Sequence, residues 1–163
     1  MIEAFRQGAP AELWQGLVRD AGARAGCALD EDCESYLVFV LLRHQREPRF
    51  FERAQALDWL HAQSLPASAR AAALRDVGDR CLLVAGLYPG LAERRRVGAD
   101  YFADLGRSAY LGVAEASRAA YAALYARLAE AHRDLVRILA AMDRRRSPLP
   151  SPPPSPAILV RRH

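Results

Sequence analysis

The sequence contains no lysine, and all 23 of its basic residues are arginine. Because alanine is also abundant, we interpret this bias as the codon preference of a GC-rich bacterial genome, not as selection for guanidinium chemistry. The net charge is a modest +4. Residues 127–163 hold eight arginines against three acidic residues, so the basic character belongs to the C-terminal end.

Cysteine is scarce, with three residues and no C-x-x-C pair. A small, odd number of cysteines argues against a disulfide framework and is typical of a reducing compartment. The N-terminal stretch MIEAFRQGAPAELW lacks the charged segment and apolar run of a signal peptide. The longest aliphatic or aromatic run, residues 36–42, is far shorter than the roughly 20 residues that span a bilayer. We therefore predict a cytoplasmic location and no membrane association.

Sequence signatures of common enzymes are missing as well. No G-x-S-x-G, H-E-x-x-H, P-loop or dinucleotide-binding pattern occurs. Asp58-x-x-His61 is one imperfect copy of a motif that helical di-iron sites use twice. We therefore predict no cofactor. The arginine runs 94–96 and 144–146 lack helix-turn-helix spacing and interleaved aromatics, so we favour solvated loops over a nucleic-acid surface.

Helical signals, in contrast, recur along the chain. Helical periodicity and helix-end residues predict helices after Pro10, over 30–46, 49–63 and 66–87, and from Asp100 onward. The apolar run 36–42 lies between acidic and basic residues, which complements a helix dipole, and we expect this helix to be central in the fold. The sequence thus predicts an all-α, single-domain bundle of five to six helices over residues 1–146. Residues 147–163 form a proline-rich tail, whose composition favours extended polyproline geometry.

The last part of the bundle shows a strict apolar repeat. Apolar residues alternate three and four apart at Tyr121, Leu124, Leu128, Ala131, Leu135, Ile138 and Met142. This spacing is that of a coiled-coil seam. Two interpretations stay open, packing inside the bundle and formation of a coiled-coil dimer, and we favour the first.

The stretch from Asp76 to Tyr110 concentrates charges, glycines and tyrosines. Spacing on one helix predicts the local ion pairs Arg75–Asp79 and Asp76–Arg80. Two further carboxylates, Asp100 and Asp104, share a face of the next helix. The four carboxylates fit either a network of salt bridges and helix caps or a divalent-cation site, and we favour the network.

Glycine within a helix is unfavourable, so the glycines in this stretch call for an explanation. Gly78 and Gly86 lie on one helix, and Gly98, Gly106 and Gly112 follow on the next. Close helix packing and room for a ligand are both consistent with them, and we favour close packing.

The same stretch supplies the candidate binding residues. A pocket between the fourth and fifth helices would be lined by Asp79, Arg80, Tyr101, Asp104 and Tyr110. Small-molecule sites are usually apolar with a few convergent polar groups, as this set would be. The alternative is a closed polar core in which the tyrosine hydroxyls bond to the carboxylates, and we favour the core.

Two segments, GDRCLLVAGLYP (78–89) and DYFADLGRSAY (100–110), resemble a widespread family of uncharacterised bacterial all-helical proteins. The run YLVFVLL (36–42) is similar to that family too. The resemblance implies a helical fold and carries no activity with it.

These observations lead to three hypotheses about function. The first is a non-enzymatic interaction or regulatory module that acts through a protein partner or through self-association. The second is a small-molecule-binding or enzymatic pocket between the fourth and fifth helices. The third is a regulator that binds nucleic acid through its arginine-rich end.

Overall fold

The structure is a computed structural model that describes residues 10–45, 54–90 and 98–144, apart from the side chains of Ala99, Asp143 and Arg144. Those ranges contain seven α-helices and no strand. The helices are α1 (Ala11–Ala25), α2 (Glu31–His44), α3 (Gln55–Gln63), α4 (Ala67–Leu87), α5 (Ala99–Ala116), α6 (Ala119–Glu130) and α7 (His132–Arg144). The all-α class is confirmed. The proline-rich tail and the arginine run 94–96 lie outside the described residues.

The helix count exceeds the predicted five to six, because the apolar repeat after Tyr121 is not one helix. Ala131 has a ψ of 3°, far from the roughly −42° of an α-helix, and it separates α6 from α7. Most of the repeat is buried inside the bundle, at Leu128, Leu135, Ile138 and Met142. Tyr121, at its start, is 70% exposed.

Local chemistry accounts for several helix ends. Asp30 caps α2, since its carboxylate accepts a hydrogen bond from the Cys33 backbone N–H at 2.8 Å. The same bond lowers the pKa of Asp30. Gly26 ends α1 in the left-handed region, with φ at 68°, a conformation that glycine adopts without steric cost. None of the described helices is long and apolar enough to cross a membrane.

The central element of the bundle is α4, not the predicted α2. Every residue from Val77 to Leu87 is buried. A helix that is enclosed on all sides must be surrounded by others, and α3, α5 and α7 all pack on α4. On α2 one side stays open to solvent, where Phe39 is 47% exposed.

Candidate functional site

Four helices meet at a buried carboxylate, Asp79 on α4. Its Oδ1 atom accepts hydrogen bonds from the hydroxyls of Tyr36 on α2, at 2.7 Å, and Tyr110 on α5, at 2.8 Å. The Tyr125 hydroxyl on α6 donates to the Tyr36 hydroxyl at 3.1 Å. Asp79 and Tyr110 have no solvent-exposed surface. We call Tyr36, Asp79, Tyr110 and Tyr125 the Asp79 cluster.

The aromatic rings of the cluster also pack on one another. The ring centroid of Tyr36 lies 6.0 Å from that of Tyr110 and 5.4 Å from that of Tyr125, both nearly edge to face. This arrangement adds favourable aromatic contact to the hydrogen bonds. The cluster is therefore a closed polar core, tied together by both hydroxyls and rings.

A glycine makes room for this core. A Cβ atom on Gly78 would lie 2.6 Å from Cε1 of Tyr110, which is closer than real carbon atoms approach. The predicted close packing is confirmed at Gly78, and also at Gly86, Gly106 and Gly112, where neighbouring side chains fill the space. Gly78, Gly106 and Gly112 let α4 and α5 approach closely, and Gly86 does the same for α4 and α7. At Gly98 a Cβ would meet only a backbone atom at 3.9 Å, so close packing does not explain that glycine.

Arg43 on α2 joins the cluster to a second carboxylate. Its Nη2 atom donates to Asp76 Oδ1 at 2.7 Å, and its Nη1 atom lies 3.6 Å from Asp79 Oδ2. The Asp76 carboxylate is one-third exposed, whereas that of Asp79 is enclosed. The Arg43 guanidinium thus lies between the partly exposed carboxylate of Asp76 and the buried carboxylate of Asp79, and its positive charge interacts with both.

Burial dominates the titration of the cluster. It raises the pKa of Asp79 to about 6, although the hydrogen bonds from Tyr36 and Tyr110 and the charges of Arg43 and Arg75 act in the opposite direction. Burial also raises the pKa of the Tyr36 and Tyr110 hydroxyls well above the ordinary value. Both tyrosines therefore stay protonated and serve as donors to Asp79.

The predicted local pairs on α4 are wrong. Arg75 Nη2 lies 3.7 Å from Asp76 Oδ1, while Asp79 faces Arg43 on α2. Arg80 turns to α3, where its Nε donates to Gln55 Oε1 at 2.9 Å and its Nη2 to Asp58 Oδ2 at 3.1 Å. Because these faces of α4 are covered by other helices, Asp79 and Arg80 find their partners across helix interfaces, whereas Arg75 lies beside Asp76 on α4 itself.

The five predicted pocket residues fall in four places. Asp79 and Tyr110 share the closed core, and Arg80 ties α4 to α3. Tyr101 is 43% exposed and packs edge to face on Phe102. Asp104 is exposed and lines a different cleft. The structure therefore brings two of the five into direct contact.

Sequence reasoning missed Tyr36 and Arg43 as members of the site. Their signal was present, since a phenol opens an otherwise apolar run and an arginine follows it seven residues later. Residues seven apart occupy one face of a helix. That face of α2 is the one that meets Asp79.

A groove lies between α2 and α6, with a volume of about 580 Å³. Its lining residues, which define the α2–α6 groove, are Asp32, Ser35, Tyr36, Ala120, Tyr121, Ala123, Leu124 and Arg127. Tyr36 belongs both to the groove and to the Asp79 cluster. An ion pair between Arg127 Nη2 and Asp32 Oδ2, at 2.7 Å, joins the two helices at the groove.

A second cleft, of about 850 Å³, runs between α5 and α7 and is strongly charged. This α5–α7 cleft includes Asp100, Asp104, Arg107, Glu130, His132 and Arg133. His132 is 2% exposed, and its Nε2 atom has no hydrogen-bond partner among the described residues. Burial, aided by the charge of Arg107, lowers the pKa of His132 to about 4. The imidazole is therefore neutral at neutral pH.

A metal site would need several His, Cys, Asp or Glu side chains close together. Within residues 10–45, 54–90 and 98–144, no three His, Cys, Asp or Glu side chains are grouped so as to hold a metal ion.

Comparison with known protein families, characterised proteins and solved structures gives no match.

Proposed function

We propose that the protein is a non-enzymatic interaction module that acts in the cytoplasm through a protein partner or through self-association. The observation that carries this proposal is the exposure of Tyr121. This large aromatic side chain is 70% exposed on the wall of the α2–α6 groove. Exposed aromatics that border an apolar depression are typical of protein-binding surfaces.

The groove has a suitable composition for such a contact. Its walls at Ala120, Ala123 and Leu124 are apolar, and Asp32 and Arg127 add charge. Beside it, Phe39 is 47% exposed and lies 6.0 Å from Tyr36 between ring centroids. Apolar surface therefore continues past the groove along α2. An apolar centre with charged residues around it is the usual anatomy of a protein interface.

The enclosure of Asp79 supports a non-enzymatic role. Its raised pKa would suit a general acid or base. A catalytic carboxylate must reach a substrate, however, and Asp79 has no exposed surface and uses Oδ1 for two tyrosine hydroxyls. We assign it to the architecture of the bundle.

Self-association through the groove is tested by light scattering during size-exclusion chromatography over a wide concentration range. We expect a monomer–dimer equilibrium that Tyr121→Ser shifts toward monomer. Leu60→Ser is the matched control, because Leu60 is a similarly exposed apolar residue, at 59%, on α3. Identical masses for all three proteins at every concentration would count against groove-mediated self-association.

A small-molecule site is the second candidate, and the α5–α7 cleft favours it. The cleft places the buried His132 beside the charged side chains of Asp104 and Arg107. Inorganic phosphate is a simple probe of the arginine side of the cleft. A saturable change in the His132 ring signals by NMR, lost in Arg107→Ala, would support this candidate, and unchanged signals would count against it.

A further inference from the structure

The groove-lining side of α6 carries three residues at equal spacing. Tyr121, Leu124 and Arg127 follow one another three apart, and all of them line the α2–α6 groove. Leu124 is therefore the midpoint of this set. If a second α6 lay antiparallel to the first, with a two-fold axis at Leu124, Tyr121 of each copy would meet Arg127 of the other. A two-fold contact of this kind uses the same surface on both molecules.

Both kinds of contact in such a pair are favourable. Tyr121 is 70% exposed, and the Arg127 side chain is 42% exposed although its Nη2 atom donates to Asp32 Oδ2. A guanidinium that donates along its edge still offers its flat face, and arginine stacks on aromatic rings through that face. At the axis, Leu124 of one copy meets Leu124 of the other. The remaining α6 residues in the groove wall are alanines, which let two helix axes come close.

The charges at the two ends of α6 are placed against its own dipole. Arg118 is the N-cap residue and Glu130 is the last residue of the helix, six positions before and after Leu124. Both are exposed. A helix favours acidic residues at its N-terminus and basic residues at its C-terminus, so Arg118 and Glu130 each disfavour an isolated α6. In the antiparallel pair, Arg118 of each copy lies beside the C-terminal end and Glu130 of the other, where both charges are favourable.

The α2 wall of the groove has the charge that this pairing requires. Asp30 and Asp32 both pair with Arg127, at 3.4 and 2.7 Å, so the acidic start of α2 lies at the same end of the groove as the end of α6. That is the end at which Arg118 of a second copy arrives. The aromatic ring, the apolar midpoint and the charges of both signs are thus arranged so that the groove is complementary to itself.

We propose that the occupant of the α2–α6 groove is a second copy of this chain, bound through an antiparallel pair of α6 helices with a two-fold axis at Leu124. The proposal rests on the proposed function of the groove and names its partner and its register. A contact built on one 12-residue helix from each copy and the neighbouring α2 wall is small. Interfaces below about 1,200 Å² in total are typical of transient complexes, so we expect a reversible dimer that dissociates at micromolar concentrations.

Reversal of the charges at the ends of α6 tests the register, with sedimentation equilibrium of the full-length chain as the measurement. Arg118→Glu brings two acids together at both ends of the pair, and Glu130→Arg brings two cations together. Each variant alone should raise the dissociation constant of the dimer at least about tenfold. An equimolar mixture of the two should form a heterodimer about as tight as the wild-type dimer, because both contacts then join opposite charges.

Glu12→Arg is the matched control, because Glu12 is an exposed acid in the first turn of α1. Alone it should leave the dissociation constant unchanged. Mixed with Arg118→Glu it should not restore the wild-type value, although it supplies the same compensating net charge as Glu130→Arg. Equal rescue by Glu12→Arg and Glu130→Arg, or no rescue by either, would overturn the proposed register.

Cross-linking locates the axis itself. Leu124→Cys is made in a Cys27→Ser background, in which the two remaining native cysteines, Cys33 and Cys81, are buried. A short bis-maleimide should then join two copies through residue 124, whereas Leu60→Cys in the same background should give little covalent dimer. Equal yields from the two positions would contradict an axis at Leu124.

These measurements separate the inference from the function on which it rests. Neither charge reversal should lower the free energy of unfolding of the monomer, because each removes a charge that opposes the α6 dipole. Urea unfolding at low protein concentration checks this, so a lost dimer is distinguished from a lost fold. A dimer that Tyr121→Ser weakens, but that shows neither the rescue nor the cross-link at residue 124, keeps groove-mediated self-association and overturns the antiparallel pair. A chain that is monomeric at every concentration contradicts self-association itself, and this inference with it.

Discussion

Gly78 on the central helix α4 packs directly against the ring of Tyr110 on its antiparallel neighbour α5. Tyr110 Cε1 lies 2.6 Å from the position that a Cβ on Gly78 would take, and the hydroxyl of the same ring donates to Asp79 one residue further on. The ring fills the space beside the glycine, and the hydroxyl donates to Oδ1 of the buried carboxylate. The glycine and the acid are therefore parts of one arrangement.

Gly78→Ala should destabilise the fold. The added methyl group must push the Tyr110 ring away from Asp79, and overpacking of this kind costs about 1–3 kcal/mol. Gly16→Ala is the matched control, because Gly16 lies in α1 with no atom within 4 Å of its Cβ position. There the higher helix propensity of alanine should raise the free energy of unfolding by up to about 1 kcal/mol. Urea unfolding measures both, and changes of the same sign would contradict the contact.

The all-α class could be predicted because helix-end signals are local. Asp30 caps α2 by bonding three residues ahead, and Gly26 ends α1 through its own backbone conformation. The division at Ala131 could not be predicted, since alanine is a strong helix former and carries no end signal. The repeat of apolar residues continues across it, so periodicity alone indicates one helix where the structure has two.

For the candidate site, too, the kind of bonding could be predicted from the sequence but the partners could not. Tyrosine–carboxylate bonding in the second half of the chain was predicted in kind, because a buried hydroxyl needs a partner. The actual donors to Asp79 are 43 and 31 residues away in sequence. Spacing rules for one helix favoured Arg75 as the partner of Asp79, but the covered faces of α4 favour partners on other helices.

Asp79→Ala should be among the most destabilising single changes in the chain. It removes the acceptor for both the Tyr36 and Tyr110 hydroxyls, and loss of one member of a buried charged network costs about 3–5 kcal/mol. Asp76→Ala removes a partner of Arg43 that is one-third exposed and should cost less than about 1 kcal/mol. Chemical unfolding of the two variants checks the order. Equal losses would mean that the buried bonds contribute no more than the surface pair.

The pH dependence of stability should reveal Asp79 and His132 as opposing groups. The pKa of Asp79 is raised from 3.8 to about 6, so the folded state binds this proton more tightly than the unfolded chain does. Its contribution to stability is present below pH 3.8 and is lost as the pH rises through 6, by about 3 kcal/mol at most. The pKa of His132 is lowered from 6.5 to about 4, so its contribution is present above pH 6.5 and is lost as the pH falls through 4.

Between about pH 4 and pH 6 the stabilising contribution of Asp79 falls as the pH rises, while that of His132 grows. The two changes in the free energy of unfolding should largely cancel in the wild-type chain. Asp79→Asn should therefore make the free energy of unfolding rise more steeply with pH than in the wild type, and His132→Gln should make it rise less steeply or fall. Urea titrations at several pH values give the slopes, which are compared whatever the absolute stability of each variant. Parallel curves for all three proteins would show that neither group titrates abnormally in the folded state.

We expect Arg80 to hold α3 against α4. Its bonds to Gln55 and Asp58 cross from the buried centre of α4 to the short helix, and Gln55 is itself only 3% exposed. Arg80→Met keeps an apolar stem of similar length but removes both donors, and a buried acceptor that loses its donor costs about 1–3 kcal/mol. Hydrogen exchange followed by mass spectrometry should therefore show faster exchange in residues 55–63, while α5 and α7 keep their protection. An equal increase in all helices would indicate that Arg80 supports the whole bundle and does not hold α3 in particular.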